Sequence, residues 1–352
     1  MVEGMPDDTA GIPGFIRAAA DDSTYFRSIV LFGTNTASYK FALSRALLVL
    51  AAEGRSRVTL SELAPYFTAP LLAHVQRGKR QGTVPSSVFL EGAAAHLHGQ
   101  LDADAFHALT VRHAFRYVLD VYHRLPGGET ATEFFQLERG RSRTLVLTDA
   151  LLALSPIERE LLEAEAEARW DLVEHAWTEE SAVVMSGRSP TYEEASGELV
   201  LVPWRHQTRV SLTRLRPALS GYQKGHCFYC YQPVDMTSGE ACHVDHVFPW
   251  VLGYRLPDVD LNAVWNLVLS CETCNAGPGG KADAIPARRF LERLHRRNSY
   301  LIDSHHPLQA ALMRDTGSTA KTRWAFLTSM EAFALEQRTK RWDGRAEHPP
   351  VF

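Results

Sequence analysis

Two Cys-x-x-Cys pairs in the second half of the chain, Cys227-Phe228-Tyr229-Cys230 and Cys271-Glu272-Thr273-Cys274, restrict the fold more than any other feature. Each pair sets two sulfurs on one turn, and four thiolates in two such pairs close a tetrahedral zinc site. The segment between them must then fold back on itself. A module this small buries too little apolar surface to hold itself firmly, so the bound ion supplies folding energy. Between the pairs lies His243-Val244-Asp245-His246-Val247-Phe248-Pro249-Trp250, and Asn266 and Asn275 follow. A carboxylate beside a histidine, with asparagines downstream, offers a second and different metal centre, suited to Mg2+ or Mn2+.

The chain has 352 residues, enough for two domains or one with a large appendage. Its longest apolar stretch, residues 41–52, is interrupted by Ser44 and Arg45 and falls short of the ~20 residues of a membrane span. Residues 1–8 are acidic and lack the basic start and apolar run of a signal peptide, so a cytoplasmic protein without a membrane role is expected. Four of the five cysteines in metal-like pairs also fit a reducing compartment; the fifth, Cys242, reads as a packed thiol. The net charge of −4 speaks against a nucleic-acid partner, but its distribution does not. Residues 201–345 carry 19 Lys and Arg against 13 Asp and Glu, while residues 1–200 carry 18 against 27. A basic C-terminal half beside an acidic N-terminal one suits a DNA-facing domain held by a regulatory one.

Residues 13–135 read as helices. Residues 36–50 open on cap-type residues and continue with helical periodicity; residues 61–75 follow, with a kink or split expected at Pro70; residues 103–125 make a third, long helix. Gly127 and Gly128 punctuate, residues 144–148 look like a strand, and residues 155–176 open Ser-Pro-Ile-Glu as a helix. Residues 186–197 read as a loop or linker before a strand at 198–202. Beyond it come a short helix at 217–224, a strand at 242–248, a loop entering a strand-like turn at 262–269 and a helix beginning at Cys271. A basic amphipathic helix at 286–297 and two more around 304–314 and 319–339 complete the chain, with His305-His306 in a turn.

Neighbouring side chains on a strand point to opposite faces, so Asp245 and His246 can divide their labour. Phosphodiester hydrolysis needs an activated water, a base titrating near neutrality and a cation on the scissile phosphate. His246 suits the base and Asp245 the hard divalent ion. Alone, such a pair is most often a surface hydrogen bond; its place between two zinc pairs favours the chemistry.

With these residues in place, the stretch from about 217 to 300 resembles the HNH endonuclease family of the ββα-metal fold, in its form stabilised by four cysteines: Asp245-His246-x-x-Pro249, Asn266-Leu267-x-x-x-Cys271 and Cys274-Asn275, preceded by Cys227-x-x-Cys230. The resemblance implies that His246 is the general base, Asp245 a ligand of the catalytic ion, Asn266 the residue bracing the catalytic loop and Asn275 a further metal ligand, an H-N-N variant. The family often places a lysine three residues after that asparagine. Here Ala276-Gly277-Pro278-Gly279-Gly280 delays it to Lys281. The glycines could break the metal-bearing helix or form an amide nest for a phosphate. Residues 35–40 resemble, loosely, helical segments preceding such modules in bacterial restriction and phage-defence proteins; a capped core helix explains them as well.

Other residues carry two readings. Arg288, Arg289, Arg293, Arg296 and Arg297 either contact phosphates or form a solvated helix face, and Lys281 is expected on the nucleic acid. His243 is a strand residue or an extra ligand, and Trp250 and Trp265 belong to the core rather than to a stacking platform. The expected fold class is α+β: a mainly helical domain over residues 1–200, which senses, regulates or associates with a partner or a second copy, then an HNH domain over 201–345 with C-terminal helices. The expected function is metal-dependent hydrolysis of DNA in restriction or anti-phage defence. The alternatives are a zinc-stabilised nucleic-acid-binding module without catalysis and an RNA-cleaving toxin.

Overall fold

The structure, a computed structural model, describes residues 11–84, 87–126, 128–140, 143–186, 189–193, 198–202, 216–236, 241–256, 258–303, 309–337 and 340–352. Helices and small sheets mix in an α+β arrangement. Contacts divide the chain into one unit of residues 20–180 and another of residues 1–19 with 181–352. Among the described residues no helix is long and apolar enough to cross a membrane.

The first helix, α1 (Gly11–Ala18), belongs to the C-terminal unit. Too short to persist alone, it is held by Phe15, whose ring stacks on Tyr300 at 5.4 Å and whose carbonyl accepts from Lys224 Nζ at 2.6 Å.

In the unit of residues 20–180, α2 (Asp22–Phe32) starts where Asp21 accepts from Thr24 N, and α3 (Tyr39–Ala52) is buried on most of its surface. A short strand, β1 (Arg57–Thr59), leads into α4 (Leu60–Gln76), which Thr59 and Glu62 open with a reciprocal capping box. Of the kink or split expected at Pro70, the split does not occur, since α4 runs through both Pro65 and Pro70. Each internal proline costs ~3 kcal/mol, but Leu63, Ala64, Phe67 and Leu71 are fully buried on that helix, and burying such side chains returns ~1.5–3 kcal/mol apiece for the larger ones. Next comes α5 (Val88–Leu97). The single helix expected over 103–125 is broken into α6 (Ala103–His113) and α7 (Phe115–Val121). The break lets Phe106 from one half and Phe115, Val118 and Leu119 from the other reach the same core.

The hairpin β2 (Arg124–Leu125) and β3 (Gly128–Glu129) precedes β4 (Phe135–Arg139) and β5 (Arg143–Leu147). The last two join β1 in an antiparallel sheet of order β1-β5-β4, with Leu145 between Val58 and Leu137. After the one-turn α8 (Asp149–Leu152), α9 (Pro156–Ser186) begins where Glu158 N donates to Ser155 Oγ, and it continues ten residues beyond the expected end at 176. Its Trp170 lies between Phe41 and His74.

His74 stacks on Trp170 at 3.9 Å between ring centroids, with Nε2 3.1 Å from Glu167 and Nδ1 2.7 Å from Glu174. Burial pushes this histidine down, but the two carboxylates prevail and its pKa is raised. Asp171, 3.9 Å from the ring, is pushed up to about 6 by burial and by Glu167. A group raised in the folded state stabilises it fully below its unfolded value and ceases to do so as pH climbs through the folded one. Above about pH 6.5, the ordinary histidine value, the wild type should therefore lose stability relative to His74→Gln as pH rises, because Asp171 and the buried His123, which is pushed down to about 4, have already titrated. Calorimetry of both chains across that range checks this; a difference in midpoint that does not shrink with pH contradicts it.

In the C-terminal unit, residues 186–197 are not simply a linker. β6 (Ser189–Glu193) pairs antiparallel with β7 (Glu198–Val202) in the register Ser189↔Val202; residues 194–197 lie outside the described ones. The module of interest follows: α10 (Arg216–Gln223), β8 (Cys242–His246), β9 (Leu267–Cys271) and α11 (Glu272–Asn275). A two-residue strand, β10 (Ile285–Pro286), then leads to α12 (Arg288–Asp303), α13 (Gln309–Thr316) and α14 (Ala320–Glu336). The last strand, β11 (Arg341–Trp342), pairs in parallel with β10. The expected turn at His305-His306 lies outside the described residues, as do residues 1–8 and Gly127.

Candidate functional site

The four cysteines meet. Cys227 and Cys230 lie in the turn after α10, Cys271 caps α11 and Cys274 lies within it. All four are buried, with their sulfurs within 4.8 Å of one another and Cys230 Sγ 3.8 Å from Cys271 Sγ. Zinc–sulfur bonds of ~2.3 Å in a tetrahedron require sulfurs roughly 3.8 Å apart, so the donor set fits zinc. The thiols do not ionise alike: hydrogen bonds with Cys227 hold Cys230 down at about 7 and Cys271 lower, whereas Cys227 and Cys274 are pushed up by their neighbours. Four crowded thiolates need a cation to ionise together, and a bound zinc ion would supply it.

The turn bearing the first pair is pinned from α12. Arg293 donates to the carbonyls of Phe228 and Tyr229, pairs with Glu347 at 2.6 Å and lies 4.1 Å from the Tyr231 ring centroid. His348 N donates to Cys230 O at 2.8 Å. The phosphate contact expected of Arg293 needs a surface cation, and this one is buried. Arg297 is likewise buried, donating to the carbonyls of Val264 and Trp265. Arg288 pairs with Glu331 and Arg289 with Glu347, each keeping nearly half of its side chain exposed, and Arg296 is exposed.

Strands β8 and β9 pair antiparallel, Cys242 opposite Cys271, Asp245 opposite Val268 and His246 opposite Leu267. The pleat puts His243 and Asp245 on one face and His246 on the other. His246 Nε2 lies 2.8 Å from Asn262 Oδ1. Asn262 went unrecognised as a site residue, because nothing in a loop sequence tells which polar side chain will face a histidine. Asn266 is wholly buried: its Oδ1 accepts from Phe248 N, while its Nδ2 donates to Phe248 O and Leu261 O. The loop that leaves β8 after His246 is thereby closed at both ends. Asn266→Ala should leave these backbone groups unmatched and cost about 3 kcal/mol or more, read as a lower denaturation midpoint of the zinc-loaded chain.

Asn275 Nδ2 lies 3.0 Å from His243 Nδ1, which brings those two residues together. Asp245 is engaged elsewhere. Its Oδ2 accepts from Tyr229 OH at 2.5 Å and lies 3.3 Å from Lys281 Nζ. Burial and the Asp245 carboxylate push the Tyr229 phenol well up, so it stays protonated and donates. Lys281 is buried, and its ammonium also donates to His246 O at 2.8 Å and Ala282 O at 3.0 Å. Its expected place on a nucleic acid is therefore taken by internal acceptors.

The glycines do break the helix: α11 is four residues long, and Gly277 N turns back to Glu272 O. The N–H groups of Gly277, Gly280, Lys281 and Ala282 donate to backbone carbonyls, which takes them out of any amide nest. Trp265 is in the core as expected. Trp250 is only partly buried and packs edge-to-face on the exposed Tyr254, 5.1 Å between centroids.

The donor set implied for a catalytic divalent ion does not fit as it stands. Asp245 already faces an ammonium, Asn275 bonds His243, and among the described residues the only groups of three or more His, Cys, Asp and Glu that converge are the four cysteines and His74 with Glu167 and Asp171. No protein-family model, no curated protein and no solved structure matches the chain.

Proposed function

We propose that residues 217–300 form a zinc-stabilised nuclease module of the HNH type, which hydrolyses phosphodiester bonds with His246 as general base. The observation that carries this reading is the closed loop: Asn266, buried and bonded to Phe248 and Leu261, anchors the chain immediately beyond His246. In hydrolysis His246 takes a proton from water as the oxygen attacks phosphorus, the P–O bond to the sugar breaks, and the sugar oxygen leaves as an alcohol by taking a proton from solvent. Contact with Asn262 orients the imidazole ring. DNA as the substrate, and restriction or anti-phage defence as the setting, rest on the family resemblance; the unit of residues 20–180 is then the regulatory or partner-binding part.

The second reading, a zinc-stabilised nucleic-acid-binding module without catalysis, is favoured by one observation, the Lys281–Asp245 pair. One experiment separates the two. The purified chain is incubated with plasmid, linear DNA and RNA in Mg2+, in Mn2+ and in EDTA, with binding measured on the same substrates. Cleavage by the wild type that His246→Ala lacks supports the nuclease; binding without cleavage under every condition supports the second reading.

A further inference from the structure

We infer that Lys281 supplies, from within the chain, the positive charge facing Asp245, so that Asp245 belongs to an internal ion pair and is not a ligand of a divalent ion. The inference rests on the reading above only in taking Asp245 as the carboxylate of the site.

Three observations carry it. The pair is closed off: the Lys281 side chain is 0% exposed and that of Asp245 7%, with 3.3 Å between Nζ and Oδ2. The ammonium donates to the carbonyls of His246 and Ala282, and its charge lies 3.3 Å from the Asp245 carboxylate. A divalent ion at the same carboxylate must lie beside this ammonium, in a site with little water to screen the repulsion.

The position of Lys281 is also built into the backbone. Lys281 N donates to Cys274 O at 2.7 Å and Ala282 N to Asn275 O at 2.8 Å, so the insertion loops back onto the zinc-bearing turn. Ala282 takes a left-handed φ of 45°, unusual for a residue with a Cβ. At Gly280 a Cβ would lie 2.8 Å from Gly277 O and 2.9 Å from Asn275 O, so only glycine passes there without a shift. These features together return the lysine to the end of β8.

Finally, Asp245 is satisfied without an ion. Tyr229 OH donates to the same oxygen that faces the ammonium. The pair also ties the strand end, because the lysine that faces Asp245 holds the His246 carbonyl.

The test is Mn2+ binding to the zinc-loaded full chain, followed by the paramagnetic resonance of free Mn2+, for the wild type, Asp245→Asn, Lys281→Ala and the double variant, with zinc content as the check on folding. The wild type and Asp245→Asn should bind Mn2+ alike. Lys281→Ala, which removes the like charge and opens space, should bind about tenfold more tightly or better, and the double variant should lose that gain. A wild-type Mn2+ site that Asp245→Asn weakens overturns the inference, as does Lys281→Ala that folds and gains nothing. Should Lys281→Ala fail to hold zinc, the comparison of wild type with Asp245→Asn decides alone. No arm reads cleavage, so a chain that cuts nothing can still pass, and one that cuts can still fail.

Discussion

Cys274→Ser or Cys227→Ser is expected to release the zinc and unfold the module it closes, the largest effect of any single change in this chain. Structural zinc contributes an apparent ~10–16 kcal/mol in small modules, while a whole domain is stable by only ~5–15 kcal/mol. The ion's contribution is thus of the same size as all the stability there is. The four sulfurs also join segments far apart in sequence, the turn after α10 and the β9–α11 junction. Losing one ligand leaves three buried thiols whose shared hydrogen bonds no longer close a site. Elemental analysis should find about one zinc per wild-type chain and little in either variant. Circular dichroism should show the C-terminal unit melting while the helices of residues 20–180 persist. A folded, unchelated wild type with less than ~0.5 zinc per chain contradicts the site.

His246→Ala is expected to leave fold and zinc intact and to slow cleavage by about 10²–10⁴-fold, the usual contribution of proton transfer from a positioned side chain. The structural cost should be small, because His246 ends its strand and keeps its backbone bonds: its carbonyl still accepts from Lys281, and Val247 N still donates to Asn266 O. The role as base adds a second signature, a wild-type rate that rises with pH to a plateau. Undiminished cutting by the variant would remove His246 from the chemistry and the HNH reading with it. Asn262→Ala should give a milder loss, because its contact orients the ring and takes no proton.

These two experiments rest on features legible in the sequence, and the reason is locality. Cys-x-x-Cys spacing places two sulfurs within one turn whatever surrounds it, and a strand's alternation decides which face each of His243, Asp245 and His246 takes. Caps are equally local: Ser155 with Glu158 opens α9 as its sequence implies. Where a competing local signal was stronger than the correct one, the reading went astray. The breaking signal of Pro70 is outweighed by the buried apolar face of α4, so that helix is not split, and its cap is Thr59, just before the expected start at 61. Strand β1 carries no such mark, being three residues long and paired with β5 across a long sequence separation, while β4 pairs with β5 as a close hairpin.

The arginines of α12 show the limit most clearly. Arg293 and Arg297 lie four residues apart on one face and look like a phosphate-binding stripe. A long apolar stem with a forked donor suits a surface anion, but it suits a row of buried carbonyls equally well. Only the packing of α12 against the cysteine-bearing turn and against Trp265 assigns them to the second use.

Sequence alone thus placed the four cysteines at metal-binding spacing and Asp245 and His246 on one strand, since each follows from spacing along a few residues, while the bracing place of Asn266 came from the family resemblance. Tertiary structure decided which charges meet. Whether Asp245 faces a divalent ion or an ammonium depends on where Gly277–Pro278–Gly279–Gly280 returns the chain, and that path is set by backbone bonds to Glu272, Cys274 and Asn275. Electrostatic partners in a closed site are chosen by angstroms, and angstroms are fixed by packing.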